Sequence, residues 1–220
     1  MPEKTVQKEP GQKPATPNKP KPPQKGVVHI PLSELHPFPD HPFQVREDAS
    51  MQETAESVKE YGVLVPALAR PREDGGYELI AGHRRKHACE LAGLATMPVI
   101  VRDIDRDAAT IIMVDSNLQR ENILPSERAK AYKMKMEAIK RQGARTDLTS
   151  PKISAKFRSD DEVGQDAGVS GDTIRNYIAL TQLVPELQQM VDEKKIALSP
   201  AYQLAALTPK EQGLRLDTLD

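Results

Sequence analysis

The sequence predicts an α+β protein in which a small α/β domain precedes an all-α domain with a helix-turn-helix. Three observations carry this prediction. Strand-like and helix-like segments alternate over 27–124, only helical periodicity follows over 125–220, and two short helices flank a glycine turn at about 160–184. Residues 1–26 form a separate segment with almost no apolar side chains to bury.

Composition narrows the class of protein. Of the 220 residues, 38% are hydrophobic and 29% are charged, which is typical of a water-soluble globular chain. The single cysteine, Cys89, excludes an intrachain disulfide and a cysteine-based metal cluster. No apolar run is long enough to span a membrane, and the N-terminus has no signal-peptide pattern, so we expect a cytoplasmic protein with no membrane partner. Because the net charge is only -1, any nucleic-acid site must be a local patch of positive charge.

The N-terminal segment is rich in proline, lysine and glutamine. This composition predicts a disordered, basic tail with partly polyproline-like backbone. A solubilising leader and an arm that binds a partner protein are both consistent with it.

The elements of the α/β domain follow in a regular order. "VVHIP" predicts a short strand, and the proline-rich stretch after it predicts a loop up to Phe43. "EDASMQETAESVKEYG" predicts a helix that ends at Gly62, with Met51, Ala55 and Val58 on its buried face. "PALARPREDGGYELI" predicts two strands joined by a turn at the paired glycines.

Three further elements complete this domain. "HRRKHACELA" predicts a helix that starts after Gly82 and ends at Gly93, "MPVIV" predicts a strand, and another helix should begin near Asp105.

The C-terminal region begins with a proline that suits the first turn of a helix. That helix should run from Pro125 to Gly143, with a buried stripe formed by Ala129, Tyr132, Met136 and Ile139. A polar connection then leads to a short helix, a turn at Gly168 and a second helix. In that second helix, Ile174, Tyr177, Ile178 and Leu180 are predicted to be packing residues.

Three separated segments contain side chains that bind phosphate or a cation. The strand-glycine-helix pattern around Gly82 exposes backbone N–H groups, and Arg84 and Arg85 on the first helical turn offer planar donors. "SNLQRE" adds amide oxygens and another guanidinium, and "FQVR" repeats the amide and guanidinium pairing. We predict that these segments form three walls of one pocket, although no Walker loop or G-x-G-x-x-G motif is present.

Other interpretations of the first helix are weaker. His83 and His87 lie four residues apart, a spacing that can hold a metal, but the intervening residues are basic. For Cys89, a buried small side chain is favoured over a catalytic thiol.

The second helix of the helix-turn-helix has side chains suited to DNA. Arginine reads guanine and asparagine reads adenine in the major groove, and a serine at the helix start can contact phosphate or cap the helix. The predicted DNA-binding residues are Ser170, Gly171, Asp172, Thr173, Arg175 and Asn176. A helical hairpin without DNA contact is the alternative, because the acidic run "SDDE" lies beside it.

Several motifs in register resemble one family. "HPFQVRED", "GVLVPALARP", "AGHRRKHACELAGLATMPVIV", "SNLQRENILPSERA" and the helix-turn-helix follow the order seen in ParB-type chromosome and plasmid partition proteins, over about 27–207. The resemblance implies a ParB/sulfiredoxin-like N-terminal domain that binds CTP and Mg²⁺, and a helix-turn-helix that binds a palindromic, centromere-like site on double-stranded DNA. It also implies a homodimer that closes as a clamp around DNA, associated with a nucleoid or plasmid, and a ParA-type ATPase as a partner of the N-terminal tail.

Carried over by position, the resemblance assigns residues to the ligands. Asn117 would hold Mg²⁺, and Arg84 and Arg85 would contact the triphosphate. The full set of expected nucleotide-binding residues is Gln44, Arg46, Gly62, Leu64, Pro66, Gly82, His83, Arg84, Arg85, Gln119, Arg120 and Glu121.

This chain departs from the family pattern at three positions. His83 replaces the glutamate of the family's "GERR", His87 replaces an arginine, and Ser116 replaces the usual acidic residue before the asparagine. A serine hydroxyl without an adjacent base activates water poorly, so we expect nucleotide binding with slow or absent hydrolysis.

The end of the chain and the fold leave alternatives open. After "GLRLDTLD" the sequence shows no clear third domain, whereas the family ends in a small dimerisation domain; dimerisation would then come from elsewhere or from a segment that this chain lacks. A nucleotide-independent DNA-binding adaptor is the strongest rival function. A sulfiredoxin-like enzyme would need a cysteine in the "AGHRR" turn, and a small-molecule kinase would have only Glu121 as a nearby base.

Overall fold

The computed structural model describes residues 26–120, 122–147 and 159–216. Its N-terminal half contains a five-stranded sheet of strands β1 to β5 in the spatial order β1-β5-β3-β4-β2. In chain order these strands are Val27–Pro31, Leu35–Pro37, Ala67–Pro71, Tyr77–Ala81 and Thr96–Val101. The pairs β1–β5 and β3–β4 are antiparallel, and β5–β3 and β2–β4 are parallel.

Three helices accompany the sheet, and local capping sets where each begins. They are α1 (Ala49–Tyr61), α2 (His83–Leu91) and α3 (Arg106–Leu118). The carboxylates of Asp48 and Asp105 accept N–H bonds at the N-termini of α1 and α3. Gly62 follows α1 with a positive φ of 72°, as the sequence predicted.

The sheet buries side chains on both faces. In β4, Leu79 belongs to a core with Met51 and Val58 of α1, whereas Ile80 belongs to a core with Ala109 and Met113 of α3. Neighbouring residues of one strand thus enter different cores because successive side chains point to opposite faces. The predicted helical face of α1 is confirmed by the burial of Met51 and Val58.

A long helix, α4 (Pro125–Asp147), connects the two halves. Three of its residues contribute to three different cores: Ala131 packs with the sheet, Tyr132 with the helix-turn-helix, and Ala129 with the helices at the C-terminal end. The prediction that this helix ends at Gly143 was wrong by about one turn. A glycine costs only about 1 kcal/mol inside a helix, so the continuing backbone hydrogen bonds override it.

The helix-turn-helix consists of α5 (Ser159–Ala167) and α6 (Gly171–Ala179), and the turn between them contains Gly168 with a φ of 69°. Ile174 and Leu180 are buried as predicted. Three short helices follow: α7 (Pro185–Asp192), α8 (Leu198–Leu204) and α9 (Pro209–Leu216).

Strand β2 was not expected from the sequence. The stretch predicted as a loop after β1 contains β2, whose three residues are too few to give a strand pattern; it forms because its backbone pairs in parallel with β4. The predicted N-terminal tail, except for Gly26, lies outside the described residues. Glu121 lies outside them as well. Within the described part of the chain, no helix has the length and apolar composition needed to cross a bilayer.

Candidate functional site

A cavity of about 180 Å³ lies where the three predicted pocket segments meet. Gln44 contributes from the loop before α1, Arg84 and Arg85 from the start of α2, and Asn117 and Arg120 from the end of α3. These segments are far apart in sequence, and the sheet brings them together. The remaining lining residues are His41, Phe43, Val45, Ala81, Gly82, His83 and Ser116.

Gly82 sets the geometry of one wall. It links β4 to α2 with a φ of 111°, a left-handed conformation that side chains disfavour. A Cβ at this position would lie 2.8 Å from the Cβ of Ala67 on β3. Close packing against β3 therefore requires glycine, and the turn directs the N-terminus of α2 toward the cavity.

Arg84 and Arg85 have different surroundings. Arg85 Nη1 donates to the backbone carbonyls of Val65 and Pro66 at 2.5 and 2.8 Å, and burial lowers the pKa of this guanidinium. Arg84 Nη2 lies 3.2 Å from Ser50 Oγ and 3.5 Å from Asp48 Oδ1. Arg85 thus holds the 62–66 loop against the cavity edge, while Arg84 is held by weaker contacts that an anion can replace.

Asn117 and Ser116 are both bonded to their own helix. Asn117 Nδ2 donates to the carbonyl of Met113 at 2.8 Å, and Ser116 Oγ donates to the same carbonyl at 2.9 Å. Because its amide nitrogen is used in this way, Asn117 has its amide oxygen left as a ligand for a cation. Because the Ser116 hydroxyl proton is directed to this backbone carbonyl, the hydroxyl does not activate a water molecule.

Two histidines stack at the cavity. The ring centroids of His41 and His83 are 3.9 Å apart, and neither Nε2 atom has a hydrogen-bond partner among the described residues. Burial, followed by repulsion from His41 and Lys86, lowers the pKa of His83 to about 3. Burial also lowers the pKa of His41, whose Nδ1 donates to the carbonyl of Phe43 at 2.7 Å. Both rings are therefore neutral at neutral pH.

Glu127 ties the cavity to α4, a role that the sequence analysis missed. Its Oε1 accepts the backbone N–H of Gln44 at 3.1 Å, and its Oε2 accepts that of Leu124 at 3.2 Å. The bond to Leu124 is one half of a capping box, a pattern visible in "LPSE". The bond to Gln44 could not be inferred from sequence because 83 residues separate the partners.

The structure brings together part of the predicted nucleotide-binding set. Gln44, Gly82, His83, Arg84, Arg85 and Arg120 line the cavity, whereas Arg46, Gly62, Leu64, Pro66 and Gln119 do not. Asn117, the predicted Mg²⁺ ligand, also lines it. Arg46 is half-exposed and lies 3.8 Å from Glu127, and Leu64 is 77% exposed. The cavity also has lining residues that were not in the predicted set: His41, Phe43, Val45, Ala81 and Ser116. Of these, His41 begins the "HPFQVR" motif.

Metal binding by His83 and His87 was the weaker interpretation of their spacing, and within the described residues no group of three or more His, Cys, Asp or Glu side chains is placed to hold a metal ion. Cys89 is fully buried, and burial raises the pKa of its thiol. A buried thiol with a raised pKa is unreactive, which fits the packing interpretation.

The second helix of the helix-turn-helix presents an exposed polar face. Ser170 caps α6 by accepting the backbone N–H of Thr173 at 3.2 Å, and Asp172, Arg175 and Asn176 are exposed. Gly171 is buried instead, and a Cβ there would overlap the carboxylate of Asp161 on α5. This glycine permits close packing of α5 on α6.

Arg175 already has two partners. Its guanidinium pairs with Asp160 of α5 and with Asp172 one turn earlier on α6, and these hydrogen bonds raise its pKa. The side chain that is best suited to read a base is therefore held by two carboxylates when DNA is absent.

Comparison with known proteins agrees with this architecture. The family model described as ParB N-terminal domain matches residues 17–118, and the model described as ParB HTH domain matches residues 151–218. The chain belongs to the ParB family. The two matched segments correspond to the sheet domain with its cavity and to the helix-turn-helix with the helices that follow it.

Named relatives and a solved structure extend this result. The chain is 35% identical over 188 residues to the chromosome-partitioning protein Spo0J of Thermus thermophilus, covering 85% of this chain and 62% of that protein. It is 39% identical over 171 residues to a probable chromosome 1-partitioning protein ParB of Deinococcus radiodurans, covering 77% and 52%. The chain thus spans less than two thirds of the length of these relatives.

A solved structure is similar over most of the chain. It is a C-terminally truncated ParB of Caulobacter crescentus complexed to the centromeric parS site, with 27% identity, a TM-score of 0.53, and coverage of 82% of this chain and 86% of that chain.

Proposed function

We propose that this protein is a partition protein that binds a palindromic, centromere-like DNA site through α6. The exposed polar face of α6 carries the proposal, because arginine and asparagine on the first turns of a second helix suit major-groove readout. The Caulobacter crescentus relative bound to parS supports the same role for this chain. Ser170, Asp172, Thr173, Arg175 and Asn176 form the proposed DNA contact, and Gly171 has a packing role.

We further propose that the cavity binds the phosphates of CTP. Three guanidinium groups, from Arg84, Arg85 and Arg120, converge on it beside the N-terminus of α2, and that donor set suits a triphosphate. The volume of the cavity, about 180 Å³, is smaller than the roughly 300–1,000 Å³ of typical ligand pockets. The cavity therefore accommodates the phosphates, and the base of the nucleotide lies outside the cavity. The exposed 62–66 loop, which Arg85 holds, is the proposed contact for the rest of the nucleotide.

Magnesium would enter with the phosphates. Among the described residues, no carboxylate lines the cavity, so the protein offers Mg²⁺ the amide oxygen of Asn117, and phosphates and waters would supply the other ligands. Such a site suits a cation that arrives already bound to a nucleotide.

Slow or absent hydrolysis is part of the proposal. Ser116 donates its hydroxyl proton within its own helix, and His41 and His83 line the cavity as neutral imidazoles. The buried Nε2 atoms of these rings have no access to solvent from which to take an attacking water.

The remaining functional proposals rest on family membership. They are a homodimeric clamp around DNA, a ParA-type ATPase as partner of the N-terminal segment, and association with a nucleoid or plasmid.

The decisive experiment is a calorimetric titration of the four ribonucleoside triphosphates with Mg²⁺, with and without a parS duplex, while product release is followed in parallel. We expect selective binding of CTP and little hydrolysis. Binding of no nucleotide, with DNA binding intact, would leave a DNA-binding adaptor. Rapid CTP turnover would contradict the proposed role of Ser116, and ATP turnover would favour a kinase.

A matched pair of variants locates the nucleotide. Arg84→Ala removes a cavity guanidinium and should weaken CTP binding at least tenfold, since charge-assisted hydrogen bonds contribute about 1.5–3 kcal/mol. Arg72→Ala removes the same charge from the far end of β3, where Arg72 lies 3.8 Å from Asp74, and should leave CTP affinity unchanged. Equal effects of the two variants would show that only net charge matters.

A further inference from the structure

Lys135 is a buried cation at the junction of three helices. Its side chain on α4 is 1% exposed, and its Nζ lies 2.7 Å from Asp115 Oδ1 on α3 and 2.8 Å from Asp166 Oδ2 on α5. We call these three residues the lysine triad. The triad joins the helix that ends at the cavity, the long connecting helix and the first helix of the helix-turn-helix.

The triad is stable only while both carboxylates stay in place. Burial disfavours the charged form of Lys135, but the hydrogen bonds that it donates to Asp115 and Asp166 outweigh burial and raise its pKa. Asp115 and Asp166 are 43% and 55% exposed, so water can solvate either carboxylate when its bond breaks. Lys135 has no such compensation, because a buried ammonium that loses a partner stays poorly solvated.

Each carboxylate lies next to a candidate ligand site. Asp115 immediately precedes Ser116 and Asn117, which line the cavity on the last turn of α3. Asp166 lies on the last turn of α5, just before the Gly168 turn that leads into α6. A displacement of the last turn of α3 therefore changes the distance between Lys135 and Asp115 directly, and the same holds for α5 and Asp166.

We propose that Asp115, Lys135 and Asp166 are positioning residues that couple occupancy of the cavity to the placement of the DNA-binding helices. This inference rests on the proposed function, since it requires both ligands. Lys135 keeps both partners only at the present spacing of α3, α4 and α5. Binding of a ligand that favours another spacing must break one of the two bonds to Lys135. Binding of a ligand that favours the present spacing is stabilised by both bonds. The two sites are therefore linked thermodynamically.

The test measures the dissociation constant of CTP with Mg²⁺ in the absence and presence of a parS duplex, and the ratio of the two constants is the coupling factor. In the unaltered protein we expect a factor of about fivefold or more in either direction, the lower end of typical coupling. Asp166→Asn, a change at a half-exposed position, should bring the factor to within about twofold of unity while each ligand alone binds as before. Asp166→Glu keeps the charge and should retain most of the coupling.

Two control variants separate coupling from net charge. Glu137→Gln makes the same change in charge as Asp166→Asn on the exposed side of α4, and Lys140→Met removes a positive charge at an exposed position of the same helix. Both controls should keep the coupling factor of the unaltered protein.

The outcomes distinguish this inference from the proposed function. Failure of the unaltered protein to bind CTP would refute the nucleotide proposal and the coupling with it. Binding of both ligands with a factor of unity, or with the same factor in Asp166→Asn, would leave the proposed function intact and overturn the role of the triad. A loss of DNA affinity in Asp166→Asn without CTP would also overturn it, because the triad would then only support the fold.

Discussion

The cavity and the exposed face of α6 are built in opposite ways. Cavity residues come from three segments spread between His41 and Arg120, and backbone carbonyls, a left-handed glycine and a capping carboxylate hold them in place. The α6 face comes from one run of residues, Ser170 to Asn176, and its main restraint is a pair of nearby carboxylates on Arg175. The cavity therefore depends on three distant segments, whereas the helix face depends on one helix and on the two ion pairs of Arg175.

This difference predicts how each region responds to substitution. A change in the cavity framework should affect the stability of the whole domain, because framework and core share residues such as Ala67 beside Gly82. A change at the exposed Asp172 of the α6 face should affect DNA binding with little change in stability, since exposed ion pairs contribute at most about 1 kcal/mol. Asp160, the other partner of Arg175, is buried, so loss of Arg175 also leaves a buried carboxylate without this partner.

The largest effect is expected for Gly82→Ala. A left-handed conformation costs an alanine roughly 1–2 kcal/mol, and the overlap with Ala67 adds roughly 1–3 kcal/mol, so the free energy of unfolding should fall by about 3 kcal/mol. Gly93→Ala is the matched control: its φ of 71° imposes the strain, but nothing lies within 4 Å of the new Cβ. Denaturant titration of both variants measures the difference. Equal losses would show that the contact with β3 does not matter.

The next effect concerns acid stability and His83. Its pKa falls from 6.5 to about 3 in the folded protein, so below pH 6.5 the unfolded chain takes up a proton that the folded protein does not. At about 1.36 kcal/mol per unit, this lowers the free energy of unfolding by about 2 kcal/mol between pH 7.5 and pH 5. His83→Gln should flatten that dependence. Parallel pH profiles for His83→Gln and the unaltered protein would contradict burial as the cause.

A smaller effect is expected for Arg175→Ala in DNA binding. An arginine that reads a base contributes roughly 1–3 kcal/mol to the free energy of specific binding. Arg175 must first break its ion pairs with Asp160 and Asp172, so we expect a contribution of about 1 kcal/mol. Competition between a parS duplex and a scrambled duplex measures the loss of specificity. Unchanged discrimination would assign Arg175 to the packing of α5 on α6 and remove it from base recognition.

The smallest effect should come from Asp172→Asn. Removing this exposed carboxylate frees one side of Arg175 and reduces repulsion of phosphates, so affinity for DNA should rise by less than about 1 kcal/mol. The gain should shrink as salt is added, because an exposed charge is screened. A loss of affinity would mean that Asp172 itself contacts a base or orients Arg175 for one.

The sequence by itself determined most elements of the N-terminal half and the helix-turn-helix, in their order. Helical periodicity placed Met51 and Val58 in a core, glycines marked the ends of α1 and α2, and the spacing around Gly168 identified the helix-turn-helix. These signals are local, since each depends on residues within a few turns. The three-segment cavity was also predicted, because its arginine and amide side chains and the order of the motifs are visible in the sequence.

Only the tertiary structure decided how those residues are used. Strand β2 forms through pairing with β4, Glu127 reaches Gln44 across 83 residues, and Lys135 is buried between carboxylates of two other helices. The same holds for Arg85, which binds carbonyls of the 62–66 loop, and for Arg175, which pairs with Asp160 of another helix. Hydrogen bonds and ion pairs between distant segments depend on interatomic distances that the packing of the sheet and helices sets, and no local pattern encodes them.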